Sequence, residues 1–439
     1  MMNAQSLSKA SPLSAGLVRY SMLIYILWLV LPAVQTTGGA LTGAAAVAVF
    51  VLGVALDTPF LRRHWRWFVL AGACAALVPL ALRFFLQRGG VFWGFYAQQG
   101  MFWYPLIYCA YARMRGDARL WRWAGWVLLG AMALTTLTTI GWLIEGMLRG
   151  GRVYAYSRSL GYAGEGREAY LEELMLRNIG GSDFIYATVV ALPLTLIGAG
   201  RTRGWARIGF LVFFVCQLAV ILLSQYTYAM LFAAAITAVE LLALLIRRLS
   251  REKCGMGRSL LLGAAPLVLA AVFIQPLVSL AASLCAQLGL TNFAFSFEQL
   301  LLALRGETVD EAARLGYYLT ALDGFTASPL VGSMFSSSKS LSLHSEILDL
   351  LSGMGVLGTA VLGGMAALMG RGLLRGVRQC PYRAQLCLSA VALFFCALLG
   401  TVFYSREIAL VLSLGAAAVL EARDGESRRA MDGENLVNK

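Results

Sequence analysis

The run Ile208-Gly-Phe-Leu-Val-Phe-Phe-Val-Cys-Gln-Leu-Ala-Val-Ile-Leu-Leu-Ser-Gln225 decides the fold of this chain. It carries no charge and reads as one crossing of a bilayer, for which a helix needs about 20 mostly apolar residues. Its two ends differ. Arg201, Arg203 and Arg207 crowd its start, whereas the connection that follows, Ser224-Gln225-Tyr226-Thr227-Tyr228-Ala229, holds no basic residue. The next apolar run, 228–246, ends in Arg247, Arg248, Arg251, Lys253 and Arg258. Arginine on alternate connections marks a polytopic membrane protein whose basic loops stay in the cytoplasm.

Working outward, the same alternation yields twelve spans, near 17–34, 39–56, 67–86, 91–112, 124–145, 183–199, 208–225, 228–246, 259–284, 345–369, 384–404 and 406–421. The other cytoplasmic connections carry Arg62-Arg63-His64-Trp65-Arg66, then Arg113, Arg115, Arg119 and Arg122, and later Arg371, Arg375, Arg378 and Arg383. The short connections between them hold Arg88 in one and Arg406 in another, with no basic residue in the first or the fourth. The expected fold class is therefore all-α, a polytopic transmembrane helix bundle with both termini cytoplasmic. Residues 1–421 form a single transmembrane domain, and 422–439 a charged, disordered cytoplasmic tail.

Composition agrees. The chain is 59% hydrophobic and 13% charged, against roughly 25% charged in soluble domains, and its mean hydropathy is +0.71. A net charge of +13 would suit nucleic acid, but the basic residues fall in short clusters between apolar runs, so they report topology instead. The first apolar run, Leu17 to Ala33, ends in Pro32 and Gln35 without a small-residue cleavage site and reads as an uncleaved span. The eight cysteines show no metal-ligand spacing and no disulfide framework. No cofactor and no metal site are expected, and no internal repeat of fixed period is visible.

Two connections are long, about 146–182 and 285–343, and both fall on the outer side. Arg167 to Arg177 has the pattern of a short surface helix, and Glu307 to Leu322 has helical spacing with Val309, Ala312, Ala313, Leu315, Leu319 and Leu322 on an apolar face. Both loops read as ordered, partly helical caps over the bundle.

The second loop carries the residues suited to chemistry. Arg314 follows Asp310 and Glu311 and has two readings: an ion pair within its helix, or a fixed cation that binds phosphate oxygens in a bidentate fork. His344 opens the tenth span, with Ser342 as the expected N-cap. It is either a surface histidine or a neutral imidazole able to take a proton from a hydroxyl. Glu346 and Asp349 read first as acids favoured by the helix N-terminus. Pro329 and Gly332 bound a turn that aims the serine-rich segment back at the membrane. His64 sits in a cytoplasmic arginine cluster and reads as an orienting residue.

Taken together, Arg314…Ser328-Pro329-Leu330-Val331-Gly332…His344-Ser345-Glu346…Gly353-Met354-Gly355-Val356-Leu357-Gly358 resembles the outer-loop signature of the O-antigen polymerase/ligase family. The resemblance covers roughly residues 170 to 370 and extends to Asn178-Ile-Gly-Gly-Ser-Asp183-Phe184 at the entry of span six. It implies a metal-independent membrane glycosyltransferase at the outer face of a bacterial cytoplasmic (inner) membrane. Its donor would be a polyprenyl-diphosphate-linked oligosaccharide, its acceptor a saccharide or lipid, and its neighbours membrane lipids and polysaccharide-assembly proteins. Arg314 would neutralise the diphosphate and His344 would activate the acceptor hydroxyl, with Glu346 beside the substrate. The family also carries an arginine where this chain has Thr227; Arg177 or Arg158 would replace it, and Tyr226 and Tyr228 would stack on sugar rings or sit in the aromatic belt. The rival reading is a twelve-span transporter or lipid-linked oligosaccharide flippase, with Glu240 and Arg83 as its intramembrane ionisable residues.

Overall fold

The structure is a computed structural model, and it describes residues 12–65, 118–149, 168–224, 226–250, 275–287, 291–305, 309–332, 345–377, 382–399 and 411. Among the described residues every regular element is a helix. In chain order they are α1 (Pro12–Val30), α2 (Pro32–Ala55), α3 (Thr58–Arg63), α4 (Ala118–Leu148), α5 (Glu168–Leu176), α6 (Ser182–Arg201) and α7 (Trp205–Ser224). They continue with α8 (Thr227–Ser250), α9 (275–287), α10 (Thr291–Arg305), α11 (Val309–Ala327), α12 (Glu346–Val377) and α13 (Arg383–Leu399). Among the described residues four helices are long and apolar enough to cross a membrane, namely α1, the Trp123–Leu148 part of α4, α6 and α7, and α2 makes a fifth if its two bent parts form one span. Helices α8, α12 and α13 occupy three more of the apolar stretches. The stretches 67–86 and 91–112, most of 259–284, and all of 406–421 except Val411 lie outside the described residues.

The first reversal of the chain comes earlier than the sequence suggests. Proline fixes its own φ and pushes the residue before it out of the helical region, so α1 stops ahead of Pro32, with Leu31 extended at φ −101°, ψ 103°. A short segment from Pro32 to Gly39 forms the corner, and a break at Gly39 turns the rest of α2 back along α1. The two then cross closely. Ser14 Oγ donates to the Gly53 carbonyl at 2.7 Å, and a Cβ at Gly53 would stand only 3.0 Å from Leu17 and Val18.

Helix α6 is the centre of the described bundle, packing on α7, α8 and α13, with Ile185, Ala187, Val189, Val190 and Leu192 all fully or almost fully buried. Ser389 Oγ of α13 donates to the Val190 carbonyl at 2.6 Å, a hydroxyl-to-backbone bond of the kind that joins helices inside a membrane. Helix α7 is the opposite case. Its Val212 and Val215 are more than half exposed, and a face that apolar is stable against lipid, not water.

Both segments expected to be helical in the long connections are helices. Arg167 to Arg177 contains α5, and Glu307 to Leu322 contains most of α11, which runs on to Ala327. Two further pieces were not anticipated, α10 ahead of α11 and the part of α9 beyond residue 284.

Candidate functional site

The site is built around a break in α12. Gly355 has φ 63°, ψ −170°, a conformation open in practice only to glycine, and it divides the helix into Glu346–Met354 and a longer second part. A restarted helix has free N–H groups, and these find partners across the chain. Val356 N donates to the Pro329 carbonyl at 2.9 Å and Leu357 N to the Leu330 carbonyl at 3.1 Å. The first part's loose carbonyls are helped too, since Thr359 Oγ1 donates back to Leu350 O at 3.2 Å. The Pro329–Gly332 turn thus caps the second half of α12 with its own backbone.

That docking requires glycine on both sides. A Cβ at Gly332, itself at φ 66°, would fall 2.4 Å from the carbonyl carbon and oxygen of Gly353. A Cβ at Gly355 would fall 2.4 Å from those of Leu330. The Pro-x-x-Gly and Gly-x-x-Gly elements of the sequence signature are therefore two halves of one contact, and it fastens α11 to α12.

The first part of α12 presents an unusual face. Ser345 and Glu346 at its start, and Asp349 and Ser352 at three-residue steps beyond Glu346, are each no more than 1% exposed. Acids in a first turn are favoured by the helix dipole wherever they sit, but burial is costly unless they are partnered. All four do make polar interactions within the protein. The N-cap differs from expectation: Ser345, not Ser342, precedes the helix, with its Oγ accepting from Leu348 N at 3.5 Å and its carbonyl from Asp349 N at 2.9 Å. A cap must stand immediately before the first helical residue, and Glu346 is that residue. His344 consequently lies ahead of the cap.

A second polar centre holds the entry to α6. Asn178 sits in the left-handed region at φ 60°, where asparagine is tolerated better than most residues. Its Nδ2 donates to Thr135 Oγ1 of α4 at 3.0 Å, its Oδ1 accepts from Ala33 N at 3.4 Å, and its carbonyl accepts from Thr138 Oγ1 at 2.6 Å. Gly180 N donates to Thr139 Oγ1 at 2.9 Å. A threonine ladder on α4 thereby ties together the α1–α2 corner and the Asn178-Ile-Gly-Gly segment.

The residues picked from sequence distribute as follows. Arg314 lies on α11 by its backbone, and its side chain is outside the described residues, as are His344 and Arg158. Glu346 is in the buried face just described. Arg177 follows the last residue of α5 on the surface, about half exposed, in an ion pair with Glu173 at 2.7 Å; an exposed pair of this kind is weak and leaves the guanidinium reachable. Tyr226 and Tyr228 flank Thr227 at the start of α8 and are half-buried, with the Tyr226 ring 6.1 Å from that of Tyr186 on α6. Asp349, Ser352 and Asn178 are the residues whose setting sequence reasoning undervalued. Glu240 of α8 is 7% exposed and accepts from Gln385 Nε2 of α13 at 3.0 Å, while Arg83 is outside the described residues. Among the described residues no three His, Cys, Asp or Glu side chains converge as metal ligands would. His64 closes α3 with its ring 4.5 Å from Phe60, and burial, reinforced by the charge of Arg63, lowers its pKa.

The chain matches no protein-family model and no curated protein.

Proposed function

We propose that the chain is an integral-membrane glycosyltransferase. It polymerises or ligates polyprenyl-diphosphate-linked oligosaccharide repeat units at the outer face of the cytoplasmic membrane, for surface polysaccharide synthesis. The observation that carries this reading is the backbone contact between the Pro329–Gly332 turn and the Gly353–Gly355 break. It joins the helix that bears Arg314 to the helix that begins just after His344, and the acids beside that start are buried within the bundle. Arginine alternation supports the full topology of this reading, twelve spans with both termini inside and the two long connections outside.

In the reaction the acceptor hydroxyl oxygen bonds to the anomeric carbon of the donor as the bond from that carbon to the diphosphate breaks. His344 takes the hydroxyl proton, and the polyprenyl diphosphate leaves with its charge balanced by Arg314, where charge stabilisation matters most. Arg177, exposed at the end of α5, is the candidate for a second phosphate contact in place of Thr227, with Arg158 the alternative from the same connection. Tyr226 and Tyr228 offer ring faces to sugars.

The test is chain extension by purified protein on a lipid-linked repeat unit. His344→Ala and Arg314→Lys are each expected to lower turnover by at least about a hundredfold while the folded protein is recovered in normal yield. Unchanged polymer length with both variants would rule the reading out. One observation favours transport instead: the buried Glu240 beside Gln385, an ionisable residue inside a membrane helix. Loss of substrate movement across vesicles in Glu240→Gln, with polymerisation untouched, would select that second reading.

A further inference from the structure

At the arginine-bearing end of the bundle, away from the α12 break, α4, α6 and α7 leave a crevice of about 250 Å³. Its walls are mostly apolar, and the rings of Trp121, Trp126, Phe210 and Phe213 stand among aliphatic residues such as Met132 and Leu194. The trough is shaped by glycine. A Cβ at Gly198 would come within 2.2 Å of the Phe210 ring, so only glycine lets that ring lie against α6, where it sits 6.3 Å from the Trp126 ring. One end of the trough is polar and closes on Arg201 and Thr202, the last residue of α6 and its C-cap.

We infer that this crevice binds an anionic phospholipid, with the phosphate on Arg201 and an acyl chain along the aromatic trough. Three features select that occupant. Trp126, which lines the crevice, and Trp205, at the start of α7, are more than half exposed, and exposed tryptophans mark the headgroup level of a bilayer. Arg201 then stands at the depth of lipid phosphates with the trough running inward from it. Arg203 and Arg207 on the same connection add positive charge, and basic pockets between membrane helices recognise acidic lipid headgroups. A guanidinium carries five N–H donors, so it can hold a contact within the protein and a phosphate together. The polyprenyl-linked donor is excluded by position, because the α6 entry and Arg201 are separated by the 20 residues of α6, about 30 Å. This inference rests on the membrane reading, and only the exclusion of the polyprenyl-linked donor draws on the glycosyltransferase assignment.

The experiment is native mass spectrometry of the full-length, delipidated protein in detergent, with phosphatidylglycerol or phosphatidylcholine added as the probe. Both lipids carry the phosphate, but the choline ammonium of phosphatidylcholine cancels its charge beside Arg201, Arg203 and Arg207, so the wild type is expected to retain phosphatidylglycerol about tenfold better. Arg201→Gln should abolish that preference, Arg201→Lys should restore part of it, and Arg203→Gln should leave most of it. Gly125 of α4 also lines the trough, and Gly125→Leu, which fills it, should lower retention of both lipids. Equal retention of the two lipids by the wild type, or an undiminished preference in Arg201→Gln, overturns the site.

Discussion

Helices α2 and α12 are interrupted by glycines in almost the same conformation, φ 58°, ψ −173° at Gly39 and φ 63°, ψ −170° at Gly355, but the two breaks are closed differently. At Gly39 the closure is a side chain, with Trp28 Nε1 donating to the Gly39 carbonyl at 3.1 Å, and nothing stands within 4 Å of where a Cβ would be. At Gly355 it is a second stretch of backbone, which meets the break through two N–H to carbonyl bonds and leaves no room for a Cβ. A side-chain closure asks for one residue of the right kind. A backbone closure asks for glycine on both strands of the contact and fixes two distant segments at once.

The largest effect is therefore expected at the backbone closure. Gly355→Ala and Gly332→Ala each combine positive-φ strain with a clash against carbonyl atoms that cannot swing aside, and each should destabilise by roughly 3 kcal/mol or more. Denaturant titration of the detergent-solubilised protein measures this. Because both substitutions open the same contact, the double variant should cost clearly less than the sum of the singles. An additive pair would mean that the turn and the break are not one unit.

Next comes the side-chain network near α2. Asn178→Ala removes the bonds to Thr135 and Ala33 and places alanine at φ 60°, at a cost of about 2–3 kcal/mol. Asn178→Gly loses the same bonds but relieves the backbone, so it should recover about 1 kcal/mol of that. If glycine is no better than alanine, the hydrogen bonds alone hold this corner. Gly39→Ala should be milder than either substitution at the α12 break, about 1–2 kcal/mol, since only its backbone angle is at stake. Trp28→Phe should cost about 1 kcal/mol through one lost hydrogen bond.

The same contrast explains what the sequence made legible. Long apolar runs are additive signals, so α1, α4, α6 and α7 are found where hydropathy puts them, and amphipathic spacing located α5 and α11. Gly355 and Gly332 were visible as motif spacing, but that they touch depends on two carbonyls, Pro329 and Leu330, which no side-chain pattern encodes. Glu346 and Asp349 were read through the helix dipole because a favourable first-turn acid looks the same whether it faces water or a packed interior. Ser345 won the cap from Ser342 because the helix begins at Glu346, a boundary finer than periodicity resolves. Helix α10 was missed because Thr291-Asn-Phe-Ala-Phe-Ser-Phe-Glu-Gln mixes polar and aromatic residues without a clean apolar stripe.

The smallest effect belongs to a third kind of closure, at the end of α3, where His64 N donates to the Phe60 and Leu61 carbonyls and the imidazole packs on the Phe60 ring. Burial first, and the neighbouring Arg63 second, disfavour the imidazolium, so the pKa in the fold lies below the ordinary 6.5. As pH falls through 6.5 the unfolded chain takes up the proton before the folded one, and linkage then favours unfolding. The stability His64 lends is full above 6.5, declines as pH drops towards the folded pKa, and levels off below both. Midpoints of unfolding for wild type and His64→Gln, measured at about pH 7.5 and about pH 5.5, isolate this contribution, because the two proteins differ at no other position. The wild type should lose more stability over that interval than the variant. An equal loss would show that the ring against Phe60 is wet enough to protonate freely, and that the third closure, unlike the one at Gly355, is held by backbone bonds alone.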